Sequence, residues 1–353
     1  MRWRRREVLR FLVGGAMGAA AAACARRFPL PASPSEERPP STRIPIQLPE
    51  PEQWDIVSPV PITPTREFYE VKYSTIPRVE IETWTLEITG EVERPLRLTY
   101  PELLAMPAVI EMRTLECISN PVGGDLIGNA LWKGVRMADL LRLAGARSTA
   151  TEVVLHAADG YHTSIPVSLA WDPHSILAYM MNGEVLPPEH GFPLRALWPG
   201  RYGMKQPKWL TRIELIRGEH IGYWEGQGWS KEAIIKPNSR IDEPGSGMIP
   251  KQPVEIRGIA FSGPAGIARV EVSVNDGRTW EEAELIRGPT PYVWTIWRYR
   301  WEHPEEGEHV LRARVHQNDG YVQPRGRGRL LSGTFPDGTD EQHAVRVVVS
   351  QGS

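Results

Sequence analysis

Cys117 carries the strongest chemical signal in this chain, because it is the only cysteine left once the N-terminal leader is set aside. The sequence holds two cysteines. The other, Cys24, closes an alanine run after an N-terminal apolar segment and reads as a processing or lipid-attachment site. An unpaired thiol in an oxidising compartment oxidises or cross-links unless something occupies or shields it. Three roles are open to Cys117: a buried small hydrophobe, a nucleophile served by a base such as His190, or a soft metal ligand. Further along, His190 and Arg195 flank a Gly-Phe-Pro turn. They can meet a phosphate or a heterocycle, with arginine as the planar bidentate partner, although His190 also fits as a locally satisfied turn histidine. His156, His162 and His174 lack ligand-like neighbours and read as structural.

Placing Cys117 requires a strand that ends on it. Residues 110–115 have strand character and deliver Cys117 to a loop containing Gly123 and Gly124, a common setting for chemistry. Trp84, Leu86 and Ile88 alternate with polar neighbours as a half-buried strand does. Residues 99–104 read as a short helix with a threonine cap and an early proline. Residues 135–144 place Met137, Leu140, Leu141 and Ala144 at helical spacing, and Gly145 follows as a stop. After residues 244–247, Pro-Gly-Ser-Gly, the pattern turns all-β. Val254, Ile256 and Ile259, then Val270, Val272 and Val274, mark short strands, with further strands over 310–315 and 344–349. Asn275-Asp276-Gly277 signals a tight hairpin, and its surroundings only partly match an Asp-box, with Asn275 at the Asp position. Short strands with regular turns point to an immunoglobulin-like sandwich.

The ends and the composition narrow the class. Arg5-Arg6 followed by Val8-Leu9-Arg10 and a short Gly/Ala-rich apolar stretch looks like a twin-arginine export signal. That stretch is too short for a typical membrane span. Ala21-Ala22-Ala23-Cys24 resembles a lipobox. The expected organisation is a signal over 1–24, a proline-rich linker over 25–65 whose last third lies along the body, a catalytic domain over 66–243 and a sandwich over 244–353. A formal net charge of −2 argues against nucleic acid, which needs a basic excess. The 41% hydrophobic content and 13 tryptophans suffice for packed cores.

The segment Thr114-Leu115-Glu116-Cys117-Ile118-Ser119-Asn120, then Gly128-Asn129-Ala130-Leu131-Trp132-Lys133-Gly134-Val135, resembles the sulfite oxidase family of molybdopterin enzymes. The likeness continues in order through residues 161–166, 177–183, 186–187, 190–195 and 208–210, and into the sandwich at 272–280 and 319–324. It covers roughly residues 66 to 350, and the order of the motifs carries more weight than any one of them. It implies an α+β architecture: a mixed α/β molybdopterin-binding domain followed by an immunoglobulin-like, dimerisation-type sandwich. It implies a molybdenum–molybdopterin cofactor with Cys117 as the metal ligand. It also implies Tyr179 at the substrate position, where a hydroxyl donates to an oxo group or substrate; as an isolated residue Tyr179 reads equally as a strand aromatic. Asn120, Asp159, Ser164, His190, Arg195, Gln206 and Lys208 are then the pterin-holding residues.

The chain departs from the family where sulfite is bound. Pro121 and Val122 stand where sulfite-oxidising members carry an arginine pair. In Phe68-Tyr69-Glu70-Val71-Lys72-Tyr73, Val71 and Tyr73 stand at an arginine and a histidine position. Losing such donors costs anion binding about 2–5 kcal/mol. Arg327 or Arg329 is a candidate replacement. The expectation is an exported enzyme of two-electron oxo transfer on an S-oxide, an N-oxide or another small uncharged oxo-acceptor or donor rather than sulfite, with the direction of electron flow open. With no Cys-x-x-Cys-His and too few cysteines for an iron–sulfur set, electrons must cross to a separate redox protein or membrane subunit. A homodimer and membrane anchoring through Cys24 complete the expected partners. Two alternatives stay open: a cofactor-free envelope cysteine enzyme, and a non-catalytic surface-binding lipoprotein.

Overall fold

The computed structural model describes residues 46–56, 58–326 and 333–351. The twin-arginine stretch, Cys24, Arg327 and Arg329 lie outside the described residues. The first half is built from β1 (Thr85–Gly90), β2 (Leu96–Thr99), α1 (Tyr100–Leu104), β3 (Ala108–Glu116), β4 (Ile127–Arg136), α2 (Met137–Ala144), β5 (Glu152–Ala157), β6 (His162–Pro166), β7 (Ile176–Met181), β8 (Glu184–Val185), β9 (Arg195–Leu197) and β10 (Leu210–Ile216). One sheet has the order β2-β1-β10-β5-β6; the other has the order β3-β4-β7-β8, with β9 also on β7.

Local sequence explains the elements. In β1, Leu86 and Ile88 are fully buried between half-exposed neighbours, the period-2 pattern of a one-faced strand. At the start of α1 the carboxylate of Glu102 accepts from both the backbone and the hydroxyl of Thr99 (2.8 and 2.7 Å). Helix α2 buries Met137, Leu140, Leu141 and Ala144 on one face and ends at Gly145 with φ 66°. Val135 and Arg136 are strand rather than helix, because they pair with Leu177 and Ile176 of β7.

Strand β7 is buried on both faces, and this decides where the site lies. Leu177 and Tyr179 enter the main core with Trp84, Leu86, Tyr100, Leu141, Leu155 and Ile213. Ile176, Ala178 and Met181 pack on the other side with Phe68, Leu115, Trp132 and Leu197. Truncating one of these buried leucines or isoleucines to alanine costs about 2–5 kcal/mol.

The second half is a β-sandwich of β11 (Asn238–Glu243), β12 (Gly247–Pro250), β13 (Val254–Phe261), β14 (Ile267–Ser273), β15 (Glu281–Glu282), β16 (Glu284–Ile286), β17 (Thr295–Trp301), β18 (Gly307–Gln317) and β19 (Ala344–Ser350). Its sheets have the orders β11-β13-β17-β16 and β12-β19-β18-β14-β15. Between them lie Ile256, Trp297, Val270, Val272, Leu311, Ala313 and Val347. Because β11 already pairs with β13, the sandwich starts before the turn at 244–247. The β14–β15 hairpin turns on Asp276 and Gly277, both at positive φ.

The halves share a third apolar cluster. Met112, Ile118, Leu131 and Met204 meet Phe261, Val293 and Trp294 there. Thr114 N–H donates to the Tyr292 carbonyl (3.0 Å), and Trp294 N–H donates to the Thr114 hydroxyl (2.9 Å). The N-terminal strap also lies along the body: Glu52 N–H donates to the Gly183 carbonyl (2.7 Å), and Lys133 holds the Glu52 carboxylate.

Candidate active site

Strand β3 ends at Glu116, and Cys117 opens the loop that returns to β4. The loop is closed by its own backbone. Cys117 N–H donates to the Leu126 carbonyl (2.9 Å), and Asn120 N–H donates to the Cys117 carbonyl (3.0 Å). Asn120 also spends its side chain inside the loop, accepting from Leu126 N–H (3.0 Å) and donating to Glu116 (2.9 Å). Asn120 therefore shapes the loop.

The Cys117 thiol is buried, 3.1 Å from the Ser119 hydroxyl. Burial pushes its pKa up, against the lowering by Ser119, and the neighbouring Glu116 carboxylate raises it further. A thiol in this setting is a poor nucleophile when free, since only the thiolate attacks. It becomes a thiolate when a cation binds it. Two tyrosines face this charge. Burial, with Cys117 next, holds the Tyr69 hydroxyl well above its ordinary value, and that hydroxyl lies against Gly203. Tyr161 is raised by burial, then by Glu225, and donates to the Met204 carbonyl (2.5 Å). Both stay protonated at neutral pH.

A group of basic side chains lies alongside. Arg195 is buried in β9, its guanidinium carbon 4.9 Å from the ring centroid of Trp132. One of its nitrogens donates to the His190 carbonyl (3.1 Å), while its Nε is buried without a partner. Lys208 donates to the Glu189 carbonyl (2.7 Å); burial, then Arg195, push its pKa down to about 7. His190 sits 3.1 Å from the Thr65 carbonyl and is lowered by burial, then by Arg195. Gly191 at φ 118° lets these groups converge, for a Cβ there would lie 3.0 Å from Arg195 Cβ and 3.2 Å from Lys208 Cβ. Clustered cations with an orphaned buried N–H suit a polyanion.

The other expected residues divide. Gln206 is used structurally, donating to the Arg201 carbonyl (2.6 Å) and accepting from Trp198 N–H (3.2 Å). Asp159 accepts from Tyr161 N–H (3.0 Å), and the buried Ser164 lies 3.3 Å from the His220 carbonyl. Tyr179 is not brought to Cys117. It projects from β7 into the main core beside Tyr100 and lines a cleft with the strap residues Glu50 and Glu52. Strand parity accounts for this, since Leu177 and Tyr179 share the face opposite Ala178. Tyr179 is thus removed from the site. The three remaining histidines have structural partners: His162 pairs with His220 (2.9 Å), His156 with Arg212 (3.0 Å) and His174 with Glu111 (3.2 Å).

Sequence reading missed several residues around the pocket. Tyr69 and Tyr161 lay inside quoted motifs but had no assigned role. The buried Lys205–Glu225 ion pair, reinforced by the Thr163 hydroxyl (2.6 Å), joins residues with no local pattern in common. Buried Glu116 was visible only as a neighbour of Cys117. Burial pushes its carboxyl up to about 7, against Asn120 and Asn238.

Comparison with known proteins agrees with this geometry. Residues 73–224 match the oxidoreductase molybdopterin binding domain, and residues 230–336 match the Mo-co oxidoreductase dimerisation domain. The sulfite oxidase of Arabidopsis thaliana is 30% identical over 320 residues, covering 73% of this chain and 80% of that protein. A nitrate reductase of Hordeum vulgare is 31% identical over 299 residues, or 67% of this chain. The chain spans about a third of the length of such plant nitrate reductases, 34% in this case. In fold, the chain resembles the sulfane dehydrogenase SoxCD of Paracoccus pantotrophus, with a TM-score of 0.70, 24% identity and coverage of 85% of this chain and 90% of that one.

Proposed function

The chain belongs to the sulfite oxidase family of molybdopterin-dependent oxidoreductases, and on that footing we propose that it is an exported enzyme reducing a small uncharged S-oxide or N-oxide rather than oxidising sulfite. The observation that carries the reading is Cys117: a buried soft donor at a strand end, beside a cation cluster and lined by neutral tyrosines.

The residues present fit the molybdenum–molybdopterin cofactor. Cys117 supplies the thiolate. Arg195 offers its unpartnered buried Nε, and with Lys208 and His190 it suits the phosphate and pterin edges. When bound, the cofactor would supply a centre that gives up two electrons as it takes an oxygen atom and takes two electrons as it gives one. This chain's own part is orientation and proton control. Tyr69 and Tyr161 keep their protons at neutral pH, and the Tyr69 hydroxyl would be a hydrogen-bond donor available to a substrate oxygen near Cys117. Water is limited by the aromatic wall of Tyr73 on Tyr161 and Tyr223, with centroids at 5.9 and 4.3 Å.

The substrate reading is supported by charge. Val71 and Tyr73 hold two positions where cations were expected for an anionic substrate, and Pro121 and Val122 hold two more. The nearby Lys205 is neutralised by Glu225. In balance, the oxide gives one oxygen atom, takes two electrons and two protons, and leaves as sulfide or amine plus water. The electrons come from a separate redox protein. A homodimer through the sandwich, export by the twin-arginine segment and anchoring through Cys24 complete the proposal.

The deciding measurement is a substrate screen on protein whose molybdenum content is established, with Cys117→Ser as the metal-free control. Dye-coupled turnover of S-oxides or N-oxides supports the reading. Efficient sulfite oxidation at low micromolar KM would overturn the substrate. A metal-free protein alkylated rapidly at Cys117 would favour a cysteine enzyme instead.

A further inference from the structure

Three contacts from the sandwich converge on the loop that carries Cys117. Asn238 of β11 donates its amide to Glu116 Oε1 (2.6 Å), the same oxygen that accepts from Asn120. Arg240 of the same strand donates to the Gly124 carbonyl (2.9 Å) while its Nε is held by Asp242. His343, just before β19, accepts the Ile241 N–H at Nδ1 (3.0 Å) and presses its opposite edge on Gly123. A Cβ on Gly123 would fall 2.4 Å from His343 Nε2, so only glycine, here at φ 71°, admits this contact.

The contacts are costly to maintain. Glu116 is 3% exposed, its Oε2 has no partner, and no cation pairs with it among the described residues. An apolar residue there would pack without the desolvation cost of a carboxylate. The carboxylate instead ties the start of the loop to another domain: Asn120 of the loop and Asn238 of the sandwich donate to the same oxygen. Glu116 is the last residue of β3 and Cys117 the first of the loop, so the carboxylate held by the sandwich is the immediate chain neighbour of the thiol.

We propose that Asn238, Arg240 and His343 are positioning residues for Cys117, so that the sandwich fixes the direction of the metal-ligating thiolate as well as pairing subunits. The inference rests on the ligand role of Cys117. Its mechanism is restriction of loop opening: each interdomain contact removed lets residues 117–126 move and the thiol swing.

The test uses two states of the full-length protein. In the cofactor-free form, Asn238→Ala should raise the alkylation rate of Cys117 about tenfold, the change that follows from losing about 1.4 kcal/mol of loop closure. Glu116→Gln keeps an oxygen that accepts from both Asn120 and Asn238 and should leave the rate near that of the parent, whereas Glu116→Ala, which removes the acceptor, should raise it as Asn238→Ala does. Arg240→Gln is a second, milder variant should Asn238→Ala fail to fold. In the loaded form the same variants should shift the Mo(V) electron paramagnetic resonance signal. Parent-like alkylation and spectra in Asn238→Ala and Arg240→Gln, or a rate in Glu116→Gln as high as in Asn238→Ala, would overturn the inference. If the parent binds no molybdenum, the proposed function fails, while the alkylation series still decides whether the sandwich braces the loop.

Discussion

Arg195 lies over the ring of Trp132, its guanidinium carbon 4.9 Å from the ring centroid, while its Nε is buried and unpartnered. The stack holds the guanidinium plane and leaves one edge to meet an anion. Arg195→Lys keeps the charge but loses the plane and the fork. The loss of one charged hydrogen bond, about 2 kcal/mol, corresponds to roughly thirty-fold weaker cofactor retention. Pterin and molybdenum content after dialysis measures it; unchanged retention would remove Arg195 from the cofactor site.

Tyr179→Phe should leave turnover within about twofold of the parent and stability within about 1 kcal/mol, because Tyr179 packs in the main core and borders the cleft beneath the strap, among residues that do not include Cys117. Steady-state kinetics and thermal melts check both. A loss of turnover with the fold intact would restore Tyr179 to the reaction.

Lys208 gives a pH signature in the cofactor-free protein. Burial lowers its folded pKa to about 7, whereas the unfolded chain holds this proton to about pH 10.4. Between those values the unfolded state binds more protons, so stability rises with pH across that window. Lys208→Met should abolish the rise and stabilise the cofactor-free protein at pH 7 while weakening cofactor retention. Denaturant titrations at neutral and alkaline pH decide; equal slopes for parent and variant would contradict it.

Gly145→Ala probes the end of α2. The position has φ 66°, and a Cβ would meet the Glu93 side chain at 2.8 Å. The left-handed backbone alone costs about 1–2 kcal/mol. A lower melting temperature with unaltered cofactor content is expected.

Much of the local structure was legible in the sequence because it follows from short-range periodicity. Helix α2 and its glycine stop, strand β1 and the strand leading to Cys117 all follow from spacing within a few residues. The placement of Tyr179 was not legible. It sits in a strand of six consecutive buried residues, Ile176–Met181, which contains no polar position to reveal which face is which. Val135 falls at the start of the helical window over 135–144, but pairing with Leu177 keeps it in β4. The hold of Asn238 on Glu116 spans 122 positions, and no local pattern encodes a contact of that range.

The position of β19 between β12 and β18 sets an order of events during synthesis. The Cys117 loop leaves the ribosome early, but His343, which presses on it, arrives only with β19, more than two hundred residues later. Until then the sheet has a gap and the loop lacks one of its clamps. Without β19 the strands β12 and β18 lose their common neighbour and Gly123 loses its contact with His343. Closure of the sheet and closure of the Cys117 loop thus share one segment, because the strand that joins β12 to β18 follows directly on the residue that rests on Gly123.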